Sequence, residues 1–246
     1  MVLNGFGLRS IGAMLLLLVF GCVPSKVSKQ ATDLPTLYNL AVADAAYPEE
    51  SEVYDGLVKI DKSNPDLIWK TIKGEDHVLM LSWKSDKSYY PDSGPYNTQT
   101  WPIWVTAAPQ LLKRMKKEQA KDTDLRLKQL LGLPPNGKYK YFIEFWVKPE
   151  DMFRPCVDDE ITDTKCDWCG FGDTSSYRSE WINRTRVNRY YPCGLYNKYP
   201  WTQLGYTYDW NPENKSHIGL SEFVIKAGKD IVVNQAFTTD EYLKKE

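Results

Sequence analysis

Histidine is nearly missing from this sequence: His77 and His217 are the two in 246 residues. That scarcity excludes a three-histidine zinc centre. It leaves Ser82 or Ser221 as the serines that could pair with a histidine, yet no G-x-S-x-G elbow is present. An excess of either charge is missing too, with 31 Lys plus Arg against 32 Asp plus Glu. A near-neutral chain lacks the basic surplus needed to neutralise phosphates, so nucleic acid is not an expected partner. Long apolar runs are absent: the uncharged stretch Ile11 to Phe20 falls short of the roughly 20 residues that span a bilayer. Internal repeats, low-complexity tracts and cofactor motifs are also absent, and no cofactor is expected. What the chain has in quantity is aromatic residues, 13% of the total, with 9 Trp and 16 Tyr. Large residues of this kind build cores and turns. They also suit surfaces that contact a sugar or a protein, because each has an apolar body and a polar tip.

The N-terminus reads as an address. Arg9 supplies positive charge, Leu15 to Leu18 centre a short apolar core, and the run ends in Val19-Phe20-Gly21-Cys22. A basic start and a short apolar core make an export signal, not a fold element. The closing residues resemble the lipobox of bacterial lipoprotein precursors. That resemblance covers residues 1–22 only. It implies cleavage before Cys22 and acyl chains, palmitate among them, on that cysteine. Membrane attachment then runs through the lipid, since each buried methylene contributes about 0.8 kcal/mol and several chains hold firmly. Val23 stands where an aspartate would signal retention at the inner membrane, which favours the outer membrane in a host that has one.

Cysteine parity agrees with this reading. The chain has 5 cysteines, an odd number for an exported protein. Lipid on Cys22 leaves an even set of Cys156, Cys166, Cys169 and Cys193. A rival reading is a secreted eukaryotic protein, to which the triplets Asn183-Arg184-Thr185 and Asn214-Lys215-Ser216 offer glycosylation sites. The resulting division is a signal peptide over residues 1–21, a lipidated cysteine and polar tether over 22–36, and one globular envelope domain over 37–246. Stretched out, the tether spans at most about 45–50 Å.

Within the domain, Leu37 to Ala46 suits a short helix. Leu67 to Ile72 and His77 to Trp83 alternate like strands around the turn Lys73-Gly74-Glu75-Asp76, a hairpin signature. Tyr89 to Thr100 has loop composition, and Trp101 to Thr106 reads as strand. Pro109 opens a helix. Asp122 or Thr123 caps a second one, with Leu127, Leu130 and Leu131 in an apolar stripe and Gly132 as its stop. Tyr139 to Val147 is apolar on both faces, the mark of a central strand covered on both sides. A helix is expected near Ser179 to Tyr190 and a strand over Thr202 to Trp210. Leu220 to Ile225 and Ile231 to Ala236 suggest a closing hairpin. The sum is an α+β fold: a mainly antiparallel sheet of about seven strands, one main helical segment and a disulfide-tied loop region.

Three groups of residues could carry chemistry. In an oxidising envelope Cys156, Cys166, Cys169 and Cys193 form two disulfides in one of three pairings. Cys166-Asp167-Trp168-Cys169 also has the C-x-x-C spacing of thiol–disulfide redox proteins, although its acidic neighbours disfavour a thiolate. Four cysteines could also hold zinc, which export argues against. The acidic run Asp158, Asp159, Glu160, Asp163 and Asp167 has the oxygen donors calcium uses but not the EF-hand spacing, and no metal site is assigned to it. Glu144 and Glu222 each interrupt an apolar strand. Neighbouring, they would form the acid–base couple of a glycan hydrolase. No catalytic motif is strong, so the leading expectation is a binding or structural domain. Its partners would be the membrane, through Cys22, and an envelope protein or glycan.

Overall fold

A computed structural model describes residues 33–158, 160–168, 176–186, 190 and 198–245. Over these described residues the fold is α+β, built on a mainly antiparallel eight-stranded sheet with five α-helices. Strands β1 (Trp69–Ile72) and β2 (Glu75–Lys84) form the expected hairpin, in register from Trp69↔Val78 to Ile72↔Glu75. Its turn places Lys73 and Gly74 at positive φ. Strand β5 (Tyr141–Val147) is central, between β2 and β10 (Asp230–Thr238). Directly paired residues share a face. Val78, Met80, Ile143, Phe145 and Val147 therefore meet one core, and Leu79, Leu81, Phe142 and Trp146 the other. This is the physical content of a strand apolar on both sides.

The first core is completed by β4 (Ile103–Ala107), β6 (Met152–Phe153) and β9 (Phe223–Ile225), with Ile60 and Leu67 from the segment before β1. The second core lies under helices α2 (Ala108–Glu118), α3 (Thr123–Leu130) and α5 (Thr239–Leu243). Asp122 caps α3 by accepting from Leu125 N–H at 3.0 Å. The helix ends as its sequence demands: Gly132 takes φ +63°, and the N–H groups of Gly132 and Leu133 reach back to the carbonyls of Gln129 and Lys128. That pair of bonds is the Schellman arrangement, which satisfies carbonyls left open at a helix end. Helix α1 (Leu34–Ala45) starts inside the stretch expected as tether, capped by Asp33, and packs Tyr38 and Val42 against Tyr208 and Trp210. Helix α4 (Ser176–Thr185) falls where a helix is expected. Among the described residues no helix is long and apolar enough to cross a membrane.

Two local expectations fail. The segment 89–100 holds an edge strand, β3 (Gly94–Asn97), paired with β10. Its composition is that of a loop because an edge strand fills only one side of its ladder and tolerates Pro95 and Gly94. The closing hairpin does not form. Strand β8 (Ile218–Ser221) pairs with β7 (Tyr206–Tyr208), β9 pairs with β4 and β6, and β10 pairs with β3 and β5. Local turn residues at 227–230 could not reveal that both strands find stronger partners far along the chain.

Candidate functional site

The site grows from an incomplete strand pairing. β2 stays paired with β5 as far as Lys84. Its ladder with β4 lasts for two pairs only, Met80↔Ala107 and Leu81↔Thr106. Ahead of Thr106, residues Ile103 to Val105 of β4 turn to β9 instead. The two strands therefore part like a fork. Ser82 bridges the opening by donating its hydroxyl to the Trp104 carbonyl at 2.8 Å. Behind the fork lies a cavity of about 350 Å³, within the range of about 300–1,000 Å³ usual for small-molecule sites.

Aromatic rings are prominent in its wall, among them Trp83, Trp104, Tyr139, Phe142, Tyr199 and Trp201. Trp83 stacks on Tyr139 at 5.1 Å and on Phe142 at 5.5 Å. Trp104 and Trp201 meet edge to face at 6.0 Å. Burial, then the charge and hydrogen bonding of Tyr199, push the Tyr139 hydroxyl well above its usual range, so it is a neutral donor or acceptor at physiological pH. The ring contacts hold the walls in fixed orientations. The end of α3, with Leu131, Gly132 and Leu133, closes one side. A side chain at position 132 would meet the Tyr208 carbonyl at 3.2 Å and Pro200 at 3.4 Å, so glycine here serves both the helix end and the close approach of the wall.

An acidic and a basic side chain join this wall, Glu222 and Lys84. Glu222 sits at the joint between β8 and β9, where its N–H donates to the Gly205 carbonyl at 2.9 Å. Its neighbours Ser221 and Phe223 are buried, and strand alternation turns Glu222 to the opposite face. Burial pushes its carboxyl up to about 8. Burial pulls the Lys84 ammonium down to about 8. Neither side chain has a hydrogen-bond or ion-pair partner among the described residues, and neither has sealed polar atoms. The sealed, unpaired polar atoms among those residues are Trp69 Nε1 and Arg154 Nε.

The other candidate residues lie elsewhere. Glu144 is buried and engaged: Lys245 donates to it at 2.6 Å and Asn234 at 2.7 Å. It does not line the cavity, so the two glutamates are not brought to one open cleft. Cys156 and Cys166 form a disulfide with their Cα atoms 6.3 Å apart, and both are buried. The first cysteine of the C-x-x-C spacing is thus joined to Cys156. Cys22, Cys169 and Cys193 lie outside the described residues, as does Asp159. Asp163 of the acidic run accepts from the fully buried Arg154 at 2.6 Å. Among the described residues no group of three or more His, Cys, Asp or Glu side chains could hold a metal ion. His77 bonds to the Glu75 carbonyl and His217 stacks on Tyr208 at 4.7 Å. Ser221 accepts from Val58 N–H, and Ser82 is spent on the fork.

Glu222 is open to sequence reasoning because it breaks an apolar strand. Lys84 carries the same signal, a charge ending the apolar run of β2, and escapes such reasoning because strand ends are usually solvated. Comparison with protein-family models, with curated proteins and with solved structures found no match.

Proposed function

We propose that the chain is a lipid-anchored binding protein of the bacterial cell envelope, and that the cavity behind the β2–β4 fork holds a small ring-bearing molecule. The observation that carries the binding reading is Glu222, a carboxyl with no protein partner among the described residues, set among aromatic walls. Glu222 is half-buried and its carboxyl oxygens are not sealed by the protein. Its partner at the cavity therefore comes from outside the protein, as water or as a bound molecule. A hydrolase that uses Glu144 as its second carboxylate finds no support, because Lys245 and Asn234 already occupy that residue. The anchoring half rests on the lipobox resemblance at Cys22 and on the export signal before it.

Indole N–H signals in an NMR titration test the cavity. Benzoate, benzylamine and N-acetylglucosamine serve as separate probes. A shift confined to Trp83, Trp104 and Trp201 is expected for at least one probe, with Trp69 and Trp210 unmoved, since only the first three line the cavity. Uniform small shifts, or none with any probe, would contradict the binding reading. The anchor is tested by mass spectrometry of the mature N-terminal peptide from membranes: acyl chains on Cys22 are expected, and an unmodified Cys22 refutes the anchor alone.

A further inference from the structure

Glu222 and Lys84 are ionisable groups of opposite sign that line one cavity. No ion pair joins them, and neither is paired with any other described residue. Both side chains are half-buried, with their charged ends still open to the cavity and its water. The deeply buried charges Asp209, Arg154 and Glu144 are answered within the protein, by Arg126, Asp163 and Lys245. The half-buried cavity pair has no such answer among the described residues. A ligand with one charged end would engage one of the two groups and leave the other to water.

We infer that the ligand of this cavity is amphoteric: a small molecule with a ring body, an ammonium end that pairs with Glu222 and an acid end that pairs with Lys84. The inference rests on the reading of the cavity as a binding site and names the chemistry that site selects. The ring body packs on the tryptophan and tyrosine walls. An ammonium group among those walls is favoured further, because the faces of Trp104 and Trp201 attract cations. Binding also draws a proton balance. At neutral pH the empty site holds Glu222 as the acid and Lys84 as the ammonium. Pairing with a ligand ammonium ionises Glu222, so one proton leaves to solvent as the complex forms.

Isothermal titration at pH 7 with three matched probes tests this on the full mature chain. 4-(Aminomethyl)benzoic acid has both ends, 4-methylbenzylamine only the ammonium and 4-methylbenzoic acid only the carboxylate. The two-ended probe is expected to bind at least about tenfold more tightly than either one-ended probe. Glu222→Gln should erase its advantage over 4-methylbenzoic acid, and Lys84→Met its advantage over 4-methylbenzylamine. The measured heat should change with buffer ionisation enthalpy by about one proton's worth. Circular dichroism checks that each variant folds, with Glu222→Met and Lys84→Gln as substitutes for one that does not. Equal affinity for all three probes, or ratios unmoved by both substitutions, overturns the amphoteric ligand and leaves the cavity as a binding site. No binding by any probe overturns both.

Discussion

Replacing Asp209 by alanine is expected to lower the unfolding free energy by about 3–5 kcal/mol, the cost of leaving a buried charge without its partner. Asp209 is fully buried and accepts two bonds from Arg126, at 2.8 and 2.6 Å. It also accepts from the Asn214 side chain at 2.9 Å and from Asn211 N–H at 3.1 Å. The network reaches outward through Glu118, which accepts from Arg126 and Arg114. Burial alone would push the Glu118 carboxyl up, but these two guanidinium groups more than offset it and hold it below the usual range. The cluster therefore ties α2 and α3 to the segment after β7, next to the cavity wall at Tyr208. Denaturant unfolding should show a lower midpoint with an unchanged slope. The double substitution Arg126→Met with Asp209→Leu should recover much of the loss, because an apolar pair of similar size carries no desolvation cost. A single-substitution loss under about 1 kcal/mol would show that the pair is not insulated from water.

Glu222→Gln is expected to stabilise the protein, and to do so in a pH-dependent way. The folded-state value of Glu222 is raised to about 8 from the ordinary 4.5. Between those values the unfolded chain releases a proton that the folded chain keeps. Stability contributed by this group is fully present below about 4.5 and is lost as pH rises to about 8. Lys84 is displaced in the other direction, from 10.5 to about 8. From about 8 upward the unfolded chain holds a proton that the folded chain has given up, so stability rises again toward 10.5. The tyrosines of the same wall, Tyr139 and Tyr208, are pushed above their usual range and stay neutral across this window. The wild type should therefore pass through a stability minimum near pH 8. A tenfold change in proton affinity corresponds to about 1.4 kcal/mol, so Glu222→Gln should gain on the order of 3 kcal/mol at about pH 8 and close to nothing at about pH 4.5. Thermal melts of both proteins from about pH 4.5 to about pH 10 measure it. Parallel profiles would mean that solvent already relieves the carboxyl.

The elements legible in the sequence are those whose signals are local. The β1–β2 hairpin shows in its alternation and turn. The start and stop of α3 show in Asp122 and Gly132, and the two-sided burial of β5 in its unbroken apolar pattern. The false hairpin between β9 and β10 marks the limit of that kind of signal, because sheet order depends on distant partners such as β3 and β4. The same limit hides the cavity. Glu222 can be singled out as a carboxylate in an apolar strand, yet pairing it with Glu144 rests on supposed adjacency. The true neighbours of Glu222 at the cavity, Trp104 and Lys84, are separated from it by more than a hundred residues of chain. Their meeting is created by the fork, where β4 leaves β2 for β9. No residue pattern within either strand announces that departure.

Crystals of the mature domain soaked with 4-(aminomethyl)benzoic acid would test most directly whether the fork cavity is the binding site. Electron density for the ring against the aromatic wall of the cavity is expected, with the ammonium at Glu222 and the carboxylate at Lys84. Density for the compound only at the outer surface, with Glu222 and Lys84 facing ordered water, would contradict it.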